Sequence, residues 1–231
     1  NTDSPKIKYF LMNPGDLSLV AVSEKLLKPE GSTQGRFKFT GYLRWQSEED
    51  ASLEKVINEF SGGEKLPILT FGSVSFDKTE KLMQRFLNKW PEGKKLIIQA
   101  GWAGLSLLEE SPGILVIGKV SHDQLFRYGS VIIHHGGAGT TASALHAGVS
   151  QIIIPHFGDQ FLWAREVRRL GSGIRIRRRK WPERIGPAVS FIENSIQMQE
   201  TARELAAILS TEDGPANAVR ELESLHTASI S

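Results

Sequence analysis

The 231-residue chain contains no cysteine. Disulfides, thiolate nucleophiles and cysteine-ligated zinc are therefore excluded. No apolar stretch approaches the about 20 residues a helix needs to cross a bilayer. The N-terminus carries no signal-peptide pattern, so a soluble, cytoplasmic chain is expected. Neither sign of charge dominates: 28 Lys and Arg face 26 Asp and Glu, a net charge of +2. That balance argues against nucleic-acid steering and against an acidic tail. Six histidines are present, yet none pairs with another at ligand spacing beside a carboxylate, so no metal site is expected. Internal repeats and low-complexity tracts are also lacking. The 40% apolar and 23% charged residues are ordinary for a globular chain.

From Leu66 onward, short apolar runs alternate with amphipathic stretches. Strands are expected at 68–71, 95–100, 114–117, 131–133, 151–154 and 173–176. Helices are expected at 77–90, 122–128, 138–148, 160–170, 182–192, 198–209 and 215–225. This alternation predicts an α/β fold, a Rossmann-like parallel sheet with helices on both faces. Upstream, 17–22 and 37–42 read as strands, and 50–60 as an amphipathic helix bearing Leu53, Val56, Ile57 and Phe60 on one face. Parallel sheets bind ligands beyond the carboxyl ends of their strands. Four Gly- or Ser-rich loops fall at such ends: 72–75, 101–106, 119–123 and 136–141.

Residues 131–160, VIIHHGGAGTTASALHAGVSQIIIPHFGDQ, hold the densest signal. A buried β-branched strand runs into His134, His135 and a glycine-rich turn. A helix then opens near Ala138–Thr141, and a second buried strand follows. Such a turn aims backbone N–H groups and the positive end of a helix dipole at one point, and glycine lets an anion approach the backbone. A diphosphate is the expected ligand. Three readings stand. The glycines could simply shape a tight turn. Gly137-Ala138-Gly139-Thr140-Thr141-Ala142 also fits the dinucleotide pattern G-x-G-x-x-A, with Asp159 downstream for a ribose hydroxyl, as in an NAD(P)-binding oxidoreductase domain. That reading leaves His134 and His135 without a role. The third is a nucleotide-sugar site, either catalytic or in a non-catalytic nucleotide-binding module.

HHGGAGTT followed by AGVSQIIIPHFGDQ resembles the donor-binding signature of family 1 glycosyltransferases with the GT-B fold, nearest the sterol glucosyltransferase-like and bacterial natural-product branches. The resemblance covers roughly residues 17–225. It implies that 1–45 are the tail of an N-terminal half and its junction, and that 46–231 are the donor-binding domain. It implies a phosphate contact from His135, with Gly137, Ala138, Gly139 and Thr140 forming the cradle. By strand alternation His134 points the other way and is structural. Gly72 and Ser73 match a strand-end pair that touches the diphosphate. Val120, in VSHDQLF, matches a backbone contact to the base; His122 and Asp123 beside it are read as helix-capping rather than catalytic. Trp102, in GWAGL, either walls the base or packs against a partner domain. Asp159 and Gln160 match the acid–amide pair that holds sugar hydroxyls, and Asp159 also suits an N-cap. Ser143 stands where plant members carry a ribose-binding Glu.

The implied donor is a UDP-sugar, with a dTDP-sugar as the alternative and no metal. The implied reaction moves a hexose, glucose by preference, with inversion to a hydroxyl of a lipophilic or sterol-like small molecule. Its catalytic base belongs to an acceptor-binding N-terminal domain or subunit, so this chain alone is expected to be inactive. Arg175, Arg177, Arg178, Arg179 and Lys180 form a basic run. It reads as a solvated strand edge and loop, or as a peripheral contact with anionic lipid or an acidic partner. Nucleic acid is not expected there, since no aromatic stacking set accompanies it.

Overall fold

A computed structural model describes residues 17–27, 37–44, 50–70, 79–99 and 113–230 of the chain. The chain divides into two compact units, residues 47–206 and residues 1–46 with 207–231.

The larger unit is built on six parallel strands: β3 (Leu66–Thr70), β4 (Leu96–Gln99), β5 (Ile114–Ile117), β6 (Gly129–His134), β7 (Gln151–Ile153) and β8 (Gly173–Arg175). Their spatial order is β5-β4-β3-β6-β7-β8. The chain steps outward from β3 to β5, returns to the other side of β3, and steps outward again to β8. The reversal falls between β3 and β6, where Thr70 and His134 stand in register. Adjacent connections leave such a pair of strands in opposite directions, which opens a crevice beyond their carboxyl ends.

Both faces of the sheet are covered, so the strands read as continuous apolar runs rather than as alternation. Leu69, Ile98, Ile133 and Ile152 face one side, with Met83 and Phe86 of α2 (Thr79–Leu87) and Trp181, Ile185, Val189 and Ile192 of α6 (Trp181–Glu193). Ile68, Ile97 and Ile132 face the other. They pack with Leu53 and Ile57 of α1 (Ala51–Ser61), Leu125 of α3 (His122–Leu125), Phe126 and Ala144 of α4 (Ala138–His146). The registers Ile68↔Ile132 and Leu69↔Ile133 put like-facing residues side by side. Helix α5 (Gln160–Arg169) runs between β7 and β8, and α7 (Ile196–Ser210) follows α6. Asp50 caps α1 by accepting from Ser52 N–H and Leu53 N–H at 3.0 and 3.2 Å.

The second unit pairs β1 (Ser18–Val20) with β2 (Phe37–Phe39) in parallel and includes α8 (Gly214–Ile230). Ser23 Oγ donates to Glu212 Oε1 at 2.6 Å, and Asn217 Nδ2 donates to the Thr40 carbonyl at 2.9 Å.

Every expected strand and helix lying in described residues is present, most within two or three residues of its expected ends. Helix α8 extends to Ile230, beyond the expected 225, and His122–Tyr128 divides into α3 and a 3₁₀ turn at Phe126–Tyr128. Among the described residues no helix is long and apolar enough to cross a membrane.

Phe86 is fully buried, 5.4 Å from the ring of Trp90 and 5.2 Å from that of Trp181. Phe86→Ala is expected to lower the unfolding free energy by about 3–5 kcal/mol, the cost of a large-to-small change in a packed core. Urea denaturation measures it; a loss below about 1 kcal/mol would mean that this cluster collapses around the gap.

Candidate functional site

Strand β6 ends in two histidines with different environments. His134 is completely buried. Its Nδ1 accepts the Gly136 N–H at 3.1 Å, and its Nε2 lies 2.9 Å from Gln151 Oε1. An Nδ1 that accepts must carry no proton, so Nε2 holds the hydrogen and donates it to the glutamine. The imidazole thus ties the glycine turn to the head of β7. Burial pushes its pKa down to about 3, with the Gln151 bond opposing that fall. It is neutral across the physiological range, and its role is structural.

His135 is only partly buried and sits over the turn. A Cβ on Gly137 would lie 2.6 Å from His135 Nε2, so the imidazole occupies the space a side chain there would need. Gly136 has φ +93°, and a Cβ there would meet Ile153 Cγ2 at 2.6 Å. Glycine is therefore demanded at Gly136 by conformation and packing, whereas at Gly137, with φ −61°, a side chain would only have to displace the His135 ring. Gly139 differs, since a Cβ there would meet no atom within 4 Å. Burial lowers the pKa of His135, while the Asp159 carboxylate pulls it upward. Its Nδ1 is buried without a hydrogen-bond partner.

Helix α4 begins at the turn, with Gly137 in the N-cap position and no side chain capping it. The Thr141 N–H and hydroxyl both bond the Gly137 carbonyl at 2.9 Å. The N–H groups of Ala138, Gly139 and Thr140, and the Thr140 hydroxyl, have no hydrogen bond to a described residue. Uncapped donors at a helix N-terminus beside an imidazole form an anion-binding geometry.

The loop after β7 closes the other side. Gln160 is buried, and its Oε1 accepts from His156 N–H at 2.7 Å and Phe157 N–H at 3.2 Å. Asp159 stands in the N-cap position of α5 but does not cap it. Its Oδ2 instead accepts from Trp163 Nε1 at 3.2 Å. The capping role suggested for Asp159 is thus replaced by an indole contact that fixes the carboxylate. Val120 precedes α3, and its carbonyl accepts from Gln99 Nε2 at 2.8 Å. Ser121 makes no side-chain cap there, and the His122 ring stacks on Phe126 with centroids 4.6 Å apart. Gly72, Ser73 and Trp102 lie outside the described residues.

Burial is the largest cause of the lowered pKa of His122, His134, His135 and His156, and His135 lowers those of the other three further. They nevertheless form no metal-ligating group among the described residues. Gln99 and Gln151 were not singled out from the sequence. Each is a lone polar residue at one end of an apolar strand, which is the signal that could have found them.

The family model for the erythromycin biosynthesis protein CIII-like C-terminal domain matches residues 96–225, more than half of the chain. The chain belongs to this family. The domain is 34% identical over 178 residues to sterol 3-beta-glucosyltransferase UGT80B1 of Arabidopsis thaliana, covering 72% of this chain and 28% of that protein. It superposes on the glycotransferase of kitacinnamycin with a TM-score of 0.76 at 23% identity, covering 93% of this chain and 56% of the other. The spinosyn rhamnosyltransferase SpnG, solved with thymidine diphosphate, gives a TM-score of 0.71 at 19% identity, covering 91% and 57%. The fold of this domain is thus that of one half of a GT-B glycosyltransferase. It spans between 12% and 28% of the length of curated relatives it matches. The dinucleotide reading of Gly137–Ala142 is not supported. Asp159 lies past β7, at the start of α5 and on Trp163, rather than free at a strand end.

The depressed pKa of His134 sets a sign for stability. Its folded value lies below the ordinary 6.5, so its contribution is complete above that value and is lost as pH falls. Urea unfolding from neutral pH down to about 4 should show stability declining, and His134→Gln should flatten the slope by up to about 1.4 kcal/mol per pH unit. An unchanged slope would mean that His134 protonates equally easily folded and unfolded.

Proposed function

We propose that this domain binds the nucleotide-sugar donor of an inverting glycosyltransferase, with UDP-glucose as the donor and a lipophilic or sterol-like hydroxyl compound as the acceptor. The observation that carries the reading is the uncapped start of α4 beside a half-buried His135 whose Nδ1 has no partner. Membership of a family with glycosyltransferase relatives supports it, as does a structural neighbour solved with thymidine diphosphate. A dTDP-sugar fits the same phosphate cradle.

In this reading the diphosphate lies over Gly139, where nothing in the protein fills the space a side chain would take. The N–H groups of Ala138, Gly139 and Thr140, the Thr140 hydroxyl and His135 donate to its oxygens. Gly72 and Ser73 are carried over from the resemblance as further diphosphate contacts. Val120 and Trp102 border the base, and Asp159 and the amide nitrogen of Gln160 hold sugar hydroxyls. A base in an acceptor-binding domain or subunit removes the acceptor proton. The acceptor oxygen then bonds the anomeric carbon, and the nucleoside diphosphate leaves with the electron pair. Charge grows on the diphosphate as that bond breaks, and fixed donors stabilise it without reorganising. The scheme needs no metal.

Thermal unfolding with UDP, dTDP, UDP-glucose and NAD discriminates the readings. At a hundredfold excess over Kd a ligand specific for the folded state adds about 2.7 kcal/mol. UDP and UDP-glucose should stabilise the parent and fail to stabilise His135→Ala. Gly139→Ala should unfold like the parent yet lose the nucleotide effect. Selective stabilisation by NAD would overturn the proposal.

His135 also predicts a pH dependence. A bound diphosphate favours the protonated imidazole, so binding raises a pKa that burial holds low in the free domain. Affinity for UDP-glucose, whose phosphates do not titrate in this range, should therefore rise as pH falls from about 8 to about 6. Titration calorimetry should show that rise in the parent and a flat profile in His135→Gln.

A further inference from the structure

The basic run is not absorbed by the nucleotide site. It begins in β8, the edge strand, and continues through a 3₁₀ turn, Arg178–Lys180, into α6. Two clefts meet there and share Arg175, Arg177 and Lys180. One, of about 490 Å³, is walled by those three with Arg178 and Arg179, and floored by Pro155, His156 and Phe161. Arg175 is held by its guanidinium lying 4.8 Å from the centre of the Phe161 ring. The other, of about 470 Å³, has an apolar floor of Ile174, Ile176, Pro187, Ala188 and Phe191, with Arg184 at its rim. Phe191 is 58% exposed, and Phe157, next to His156, is 60% exposed.

Five of these cations are not neutralised by any described residue. None of Arg175, Arg177, Arg179, Lys180 and Arg184 forms an ion pair with a described residue. The acids of α6 are occupied elsewhere, Glu183 with Arg85 and Glu193 with Lys94. The chain as a whole carries only +2, so this concentration is local rather than a reflection of general basicity. Protection of a sheet edge against self-pairing needs one or two charges. It does not account for five cations around a concave space, joined to an apolar groove under an exposed aromatic.

We propose that this face docks the domain on an anionic lipid bilayer, with a phosphate headgroup in the basic cleft and Phe191 at the acyl boundary. A cationic cleft continuous with an apolar one matches the two halves of an anionic amphiphile, and exposed aromatics beside basic residues suit a bilayer interface. The inference does not depend on the nucleotide reading.

Co-sedimentation with vesicles tests it. The chain should bind phosphatidylcholine vesicles doped with phosphatidylglycerol, ignore vesicles of phosphatidylcholine alone, and release as salt rises. Arg177→Glu with Lys180→Glu should lower the partition coefficient by at least about fivefold per residue changed. Phe191→Ser should weaken binding while leaving its salt dependence intact. Circular dichroism melting establishes that the variants fold. Equal binding to neutral vesicles, no binding to either kind, or parental binding by the folded double variant would each overturn the proposal. Full displacement by glycerol 3-phosphate at the same phosphate concentration would overturn it too, in favour of a soluble phosphate ligand.

Discussion

The candidate site depends on one buried imidazole. His134 joins the end of β6, the Gly136 turn and the head of β7 through two hydrogen bonds of opposite sense. Because Nδ1 is taken by a backbone donor, the ring must present its proton to Gln151, and both neighbours are set at once. The turn is then committed to positive φ at Gly136, the next residue aims the His135 ring across Gly137, and α4 starts uncapped. Complete burial keeps His134 neutral. A charge there would have to be desolvated deep in the sheet, at a cost far above that of a lost hydrogen bond.

That arrangement explains why adjacent histidines divide their work. Both carry pKa values lowered by burial, but His134 has two partners and His135 has an unpartnered Nδ1. An anion over the turn would satisfy His135 and the exposed N–H groups of α4 together. In the second unit Glu212 accepts from Ser23 Oγ, and burial, with the Glu212 charge adding to it, drives the Tyr42 hydroxyl pKa upward.

The sheet and its helices were legible because a doubly covered parallel sheet writes itself as short apolar runs between amphipathic stretches. The short runs expected as strands at 68–71 and 131–133 became β3 and β6. The glycine turn was legible because Gly136 answers to backbone geometry. What was not legible is how side chains choose among partners. Asp159 has the composition of an N-cap, yet an indole one helical turn away competes for its carboxylate. Gln160 reads as a ligand-facing amide, yet its oxygen is committed to its own loop. His122 and Asp123 read as helix-capping, yet the N-cap residue Ser121 makes no side-chain cap, and the His122 ring stacks on Phe126. Such outcomes depend on contacts between elements, which periodicity does not encode.

The two functional faces differ in how they handle charge. At the glycine turn, positive potential comes from backbone dipoles at the start of α4, so it is concentrated and directional. At the β8 edge it comes from full guanidinium and ammonium charges in water, so it is broad and screened by salt. A diphosphate leaving group needs the first kind, because stabilisation must be fixed in place while the bond breaks. A membrane surface needs the second, because its charges move laterally and no single geometry persists. The loop carrying Pro155, His156 and Asp159 lies between them, with Arg178 lowering the His156 pKa on one side and Asp159 raising that of His135 on the other. Occupation of the basic cleft by an anion would oppose the effect of Arg178 on His156, so charge at the edge would be felt in the loop that ends at Asp159 and Gln160.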